Sequence, residues 1–329
     1  MDIKEFLEGK SILVTGGTGS FGRQIVSKLV KFQPSRVVVF SRDEKKQQDM
    51  VDEFEEYSRF LEFVVGDVRD YARLYEAMKS IDLVYHAAAL KQVPNCESHP
   101  FEAVRTNVLG AENVRRAAIE NEVAAVITIS TDKAVKPVNV MGMTKALQER
   151  IMLNPISERW GTKFICVRYG NVIGSRGSVI PYFKQRIEKG KFLPITHPRM
   201  TRFVLTLKEA VSLVFEATVA GEGGELFVRK MPACYVIDLA KAVSKAVTGR
   251  DDYPMREVGI RQGEKIDEVL VSEEEMLRAV EGKTYIVIRP YGVVEKAALT
   301  KDLKEYTSNN ARMLNEAELI SLLKKDGLV

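Results

Sequence analysis

Apolar positions in the first half of the chain fall in short unbroken runs rather than in strict alternation. SILVT at Ser11–Thr15 reads as a buried strand, and RVVVF at 36–40, LEFVV at Leu61–Val65 and LVYH at Leu83–His86 read as the second, third and fourth strands. VAAVITIS at 123–130 and KFICVR at Lys163–Arg168 continue the series. Helical spacing fills the gaps, for example at 22–32 and 104–121. Strands alternating with helices at this interval predict βαβ units and a parallel α/β sheet. After Arg168 the alternation fails, and Pro181, Pro194, Pro198, Pro232 and Pro254 punctuate shorter elements. Segments near 200–240 are expected to return to the sheet, and a closing helix is expected at 316–325.

The first strand runs into TGGTGSFG at 15–22. Gly16, Gly19 and Gly22, with Thr18, Ser20 and Phe21 between them, form a turn that opens a helix. Glycines there let backbone N–H groups approach a pyrophosphate, and the helix N-terminus favours its charge. Strand, glycines and helix together predict a Rossmann-type doubly wound parallel sheet with a smaller mixed α/β substrate lobe. Residues 1–170 are expected to bind the dinucleotide, and 171–329 to form mainly the substrate lobe and C-terminal helices.

The second strand ends in Phe40-Ser41-Arg42 rather than in a carboxylate. A hydroxyl and a guanidinium suit a ribose 2′-phosphate, so NADP is expected over NAD. Asp43 follows and is expected to cap the next helix. Asp67, in Gly66-Asp67-Val68, either accepts from the adenine amino group or caps a helix. The small residues of His86-Ala87-Ala88-Ala89 let a cofactor lie against the sheet, with His86 packed at the strand end. Asn107 either ties its helix to the catalytic strand or is polar surface.

The fifth strand meets Ser130-Thr131-Asp132-Lys133 at the carboxyl edge of the sheet, where open α/β folds bind ligands. Met141 and Lys145 follow at i and i+4 on one helix face. Short-chain dehydrogenases carry a Tyr at the first of these positions and a Lys at the second. Lys145 can still hold the nicotinamide ribose, but Met141 has no proton to exchange. Two readings stay open. Either the site only binds a nucleotide sugar, or another group takes the proton. The candidate is Lys133, held partly neutral by burial, the cationic nicotinamide and Lys145, with Asp132 as acid or relay.

Composition narrows the setting. The chain has 329 residues, is 45% hydrophobic and 29% charged, and has a net charge of +4 without clustering. That argues against nucleic acid as partner. Cys96, Cys166 and Cys234, like His86, His99 and His197, are scattered, so no metal site is expected. MDIKEFLEGK has no apolar signal core, and no run approaches the ~18 apolar residues of a membrane span. A cytoplasmic protein without membrane contact is expected.

TGGTGSFG, FSRDE, GDVRD, HAAALKQVP, STDKAVKPVN, RYGNVIGSRGSVIPYF, MTRF and GIRQGEK follow in order between residues 15 and 265. Together they resemble the extended short-chain dehydrogenases that are C5-inverting UDP-N-acetylglucosamine 4,6-dehydratases. MGMTK in place of YxxxK resembles the capsule and lipopolysaccharide subgroup. The resemblance implies a UDP-N-acetylhexosamine substrate, oxidation at C4, loss of water across C5–C6 and return of hydride to C6. It implies Lys133 as the C5 base, Asp132 as the acid to the 6-hydroxyl and Thr131 as donor to the C4 oxygen. In its context Lys91 is expected at the sugar or phosphates, and Asn171 at the pyrophosphate. The Arg176–Val179 loop covers the uracil and nucleotide, Arg202 and Arg261 fork phosphate, and Glu264 holds a ribose hydroxyl. The chain departs from the pattern at Ile266-Asp267-Glu268, where relatives often carry His or Tyr before the Glu, and at Arg229.

Relatives associate, and the helical patterns at 104–121 and 145–153 are candidate faces for a homo-oligomer. Rival readings are a UDP-hexose 4-epimerase, against which Met141 and Asp132-Lys133 argue, and a non-catalytic nucleotide-sugar binder.

Overall fold

A computed structural model describes residues 2–154, 161–174, 178–290 and 304–329. Its centre is a nine-stranded sheet. Six strands carry the first half: β1 Ser11–Thr15, β2 Arg36–Ser41, β3 Leu61–Val65, β4 Leu83–His86, β5 Ala125–Ile129 and β6 Lys163–Arg168. They lie in the order β3-β2-β1-β4-β5-β6 and pair in parallel. Leu226–Arg229 adds in parallel beyond β6, and Tyr285–Ile288 and Ala279–Glu281 extend that edge antiparallel.

The order reverses between β1 and β4. Right-handed crossovers force the helices of the two halves onto opposite faces. Ser20–Leu29 packs with Leu207–Ala220, while Tyr71–Ala77, Gly110–Glu120 and Val140–Met152 pack in a row. With both faces covered, the unbroken Val, Ile and Leu runs of β1 and β2 are fully buried. The reversal leaves a crevice beyond the strand ends, where Thr15, Ser41, His86 and Ile129 terminate.

A second apolar core joins Ile180, Phe183, Leu239, Val243, Leu319 and Leu323 from the helices Val179–Glu188, Val236–Thr248 and Glu316–Lys325. The last helix starts with a reciprocal cap between Asn315 and Glu318. Thr201–Leu205 does not join the large sheet. It pairs with Asn171–Val172 and Ala233–Tyr235 in a small sheet that forms one wall of the crevice.

Three expected elements differ in detail. The strand at 123–130 shortens to β5, because Glu122 turns through a left-handed φ of 55° and Ser130 is drawn into a side-chain network. The helix at 22–32 begins earlier, at Ser20, and its last turn, Val30–Phe32, tightens before Gln33 at φ 54°. The helix at 104–121 opens with a π-helical turn, Val104–Leu109. Such turns recur near functional sites.

Candidate active site

A cleft of about 1880 Å³ opens at the carboxyl edge of the sheet. Gly16, Thr18, Gly19, Ser20, Phe21 and Gly22 form one wall. Gly16 sits at φ 66°, and a Cβ there would come within 2.8 Å of the Ala88 nitrogen. A Cβ on Gly22 would stand 2.4 Å from the Gly16 carbonyl oxygen. The glycines therefore close strand, turn and helix onto one another. The ten-residue helix Ser20–Leu29 begins at Gly19 with no side-chain cap. Its first-turn N–H groups face the cleft wall and suit a pyrophosphate.

Ser41, Arg42, Asp67, Val68, Ala87 and Ala88 line the same cleft. Asp43 caps the helix Glu44–Glu53, accepting from the Lys46 nitrogen at 3.0 Å. Asp67 is not the helix cap, and it lines the cleft where an adenine amino group would have to be met. It pairs with Arg69 at 2.6 Å and with Arg42 at 3.5 Å, while Asp70 caps the next helix. Burial pushes the Asp67 carboxyl up, but the Arg69 hydrogen bonds and the Arg42 charge outweigh it and hold it below the usual range. His86 is buried, with Nδ1 2.8 Å from the Thr15 hydroxyl. Burial, with help from Lys145, pushes the imidazole down to about 3, so it is neutral. Asn107 is not polar surface. It donates to Leu90 O and the Thr144 hydroxyl and accepts from Leu90 N, tying its helix to the loop after β4 and to the helix Val140–Met152.

The floor of the cleft is the loop after β5. The Thr131 hydroxyl donates to Asp132 Oδ1 at 2.9 Å, and the Lys133 ammonium donates to the same oxygen at 3.0 Å. Asp132 is wholly buried behind the lining, and its Oδ2 has no hydrogen-bond partner. Lys133 Nζ also reaches Asn171 Oδ1 at 3.2 Å and Glu268 Oε1 at 3.5 Å. Burial pulls the Lys133 amine down, and Arg202 adds to that pull. The carboxylates of Asp132 and Glu268 outweigh both, so it lies above the ordinary lysine range. In the ligand-free protein burial alone therefore does not make Lys133 neutral.

Met141 and Lys145 project from the helix Val140–Met152, which Asn139 caps through Gly142 N at 2.8 Å. A Cβ on Gly142 would stand 2.3 Å from the Lys133 carbonyl oxygen, so the glycine in MGMTK lets this helix press against the floor. Lys145 is 6% exposed and donates to Ile129 O at 2.5 Å and to Gln148 Oε1. Burial pulls its amine down to about 8, with Glu149 offsetting only part. Of Lys133 and Lys145, the depressed amine is thus Lys145. The Ser130 hydroxyl turns away to Glu149 at 2.5 Å, and Glu149 pairs with Arg168 at 2.6 Å.

On the substrate side, Lys91, Asn171, Val179, Arg202, Arg261 and Glu264 line the cleft, and Arg176 lies outside the described residues. Arg202 is not free to fork a phosphate. Its guanidinium donates to the carbonyls of Thr201, Lys265 and Ile266 at 2.7 to 3.0 Å, and Nε stands 3.6 Å from Glu268. Arg261 is 59% exposed and 3.9 Å from Glu264, leaving its fork available. Sequence reasoning noted Glu268 only as a departure. The structure puts it in direct ion-pair range of Lys133. Lys265, also unassigned, donates to Val135 O at 2.6 Å, and burial holds its amine below the usual range.

A sequence profile of the polysaccharide biosynthesis protein family matches residues 12–290. A UDP-glucose 4-epimerase of Rickettsia conorii is 46% identical over 95% of both chains. An uncharacterized membrane protein of Methanocaldococcus jannaschii is 43% identical over 98% of both. Among the described residues no helix is long and apolar enough to cross a membrane. The crystal structure of Pen from Bacillus thuringiensis superposes with a TM-score of 0.92 at 36% identity, covering 98% of this chain and 99% of that one.

Proposed function

The chain belongs to the polysaccharide biosynthesis protein family, and from that premise we propose that it is an NADP-dependent UDP-N-acetylglucosamine 4,6-dehydratase that inverts C5. The product is a UDP-4-keto-6-deoxy-hexosamine for surface polysaccharide synthesis. One observation carries this reading: Thr131, Asp132 and Lys133 form a continuous hydrogen-bonded chain at a cleft that Met141 also lines.

NADP⁺, when bound, would supply a hydride acceptor for sugar C4 and a hydride donor for C6. Gly16 to Gly22 and the uncapped helix would hold its pyrophosphate, Ser41 and Arg42 its 2′-phosphate, and Lys145 its nicotinamide ribose. Thr131 hydrogen-bonds the C4 oxygen, and the C4 proton leaves to water in the open cleft. Lys133 passes its own proton to Asp132, 3.0 Å away. That transfer leaves a neutral amine facing C5 and a carboxylic acid for the departing 6-hydroxyl. Elimination of water needs these two groups together. Asn171, Arg261 and Glu264 hold the nucleotide diphosphate and ribose.

The exposed apolar side chains of Phe101, Leu109, Met143 and Leu147 support association between copies along the helices after β4 and β5. The reaction carries the expectation of a cytoplasmic enzyme.

The name of the Rickettsia relative favours a second reading, a UDP-hexose 4-epimerase. Incubation with UDP-N-acetylglucosamine separates the two by mass and proton spectra. A dehydratase gives a product lighter by one water, with no net build-up of reduced cofactor. An isomer of unchanged mass favours the epimerase, and an unchanged substrate leaves only a binding protein.

A further inference from the structure

Glu268 enters the cleft floor from the C-terminal segment and is 2% exposed. Its backbone is clamped to Ser308, donating to the Ser308 hydroxyl at 2.9 Å and accepting from Ser308 N at 2.8 Å. Neighbouring Asp267 accepts from the Thr201 hydroxyl at 2.6 Å. The carboxylate is therefore fixed in place. Oε1 stands 3.5 Å from Lys133 Nζ and 3.6 Å from Arg202 Nε. Oε2 makes no hydrogen bond and lies 4.0 Å from Lys265 Nζ.

A buried carboxylate with an unpaired oxygen is costly unless its charge serves a neighbour. Arg202 is already satisfied by three backbone carbonyls, and Lys265 by Val135 O. Lys133 is the cation whose charge must change during turnover. Resting on the dehydratase reading, we propose that Glu268 is the positioning residue for Lys133: it holds the amine at the cleft floor and stabilises the ammonium that forms as the amine takes the substrate proton. The charged groups facing Lys133 are Asp132 and Glu268 on the acidic side and Arg202 and Lys265 on the basic side. Removing Glu268 leaves one carboxylate against two cations. The amine then loses its proton at lower pH.

Competitive acylation of the whole protein across pH, read by peptide mass spectrometry, reports the Lys133 midpoint without any substrate. Surface Lys45 serves as reference. In Glu268→Gln the midpoint moves down by about one pH unit or more. Glu268→Asp, which keeps the charge, recovers part of the shift. The acid limb of kcat for water release moves the same way. A Lys133 midpoint unchanged in Glu268→Gln, with kcat reduced equally at every pH, overturns the proposal. Wild-type protein that releases no water from UDP-N-acetylglucosamine overturns the functional reading instead, while the labelling midpoint still reports the hold of Glu268 on Lys133.

Discussion

Lys133 stands on the loop after β5, and Lys145 stands one helix turn beyond the start of Val140–Met152. Both amines line one cleft and both are largely withdrawn from water. Around Lys133 the neighbours are carboxylates, and the ammonium is favoured. Lys145 donates to a backbone carbonyl and an amide oxygen, Glu149 offsets only part of the burial, and the amine is brought down to about 8. Desolvation acts on each amine, and its sign is overturned only where a full negative charge lies within about 4 Å. Under the proposed function, one stretch of chain thus carries both the amine that cycles its proton and the amine that holds the cofactor.

The largest expected effect comes from deleting the cycling amine. Lys133→Ala should lower kcat for water release by about 10³-fold or more while UDP binding is kept, as general acid–base groups contribute ~10²–10⁴-fold. Steady-state kinetics with a UDP titration by calorimetry checks this. The second variant attacks the support of the holding amine. Glu149→Ala strips buried Arg168 of one of its two carboxylates and Ser130 of its acceptor. Breaking such a pair costs about 3–5 kcal/mol, read as a fall in the denaturation midpoint. Arg168 keeps Glu275 at 2.9 Å, so the lower end is expected.

Stability against pH sharpens the contrast further, because the two amines act with opposite sign. Lys145 has its folded value depressed to about 8. Between there and the ordinary lysine value the unfolded chain binds more protons, so stability rises with pH across that window. Lys145→Met should flatten that rise, which is on the order of 3 kcal/mol at most. Lys133 has its folded value raised. Its stabilising contribution is full below the unfolded value and is lost as pH rises through the folded one. Lys133→Met should therefore leave the window that begins near pH 8 unaltered. The smallest effect belongs to a variant that spares both amines. Arg42→Ala should weaken NADP about tenfold and NAD little, since one charge-assisted contact is lost. Fluorescence titration with each cofactor measures the difference.

Much of the sheet and the glycine-lined wall of the cleft was legible in the sequence. β1, β2 and β4 to β6 were readable because strands covered on both faces need unbroken apolar runs, β3 carries a similar run although it lies half-exposed at the sheet edge, and the glycine turn was readable because strand, turn and helix are contiguous. Asp132 and Lys133 could be found as neighbours in the chain. Glu268 could not, since only the folded topology brings the C-terminal segment against the loop after β5. The fork of Arg202 was misjudged for a related reason. Its partners are backbone carbonyls, which leave no mark on residue identity. The antiparallel edge strands at Ala279–Glu281 and Tyr285–Ile288 were missed because they lie beyond the last family motif and form at a sheet edge.

The most direct measurement follows C5 of the sugar. Wild-type protein and Lys133→Ala are each incubated with UDP-N-acetylglucosamine in deuterated water, and the product is examined by proton spectra. Solvent deuterium at C5 in the wild-type product, with none incorporated by Lys133→Ala that still binds UDP, is the predicted result. Undiminished C5 exchange in Lys133→Ala would contradict the assignment of this amine as the base.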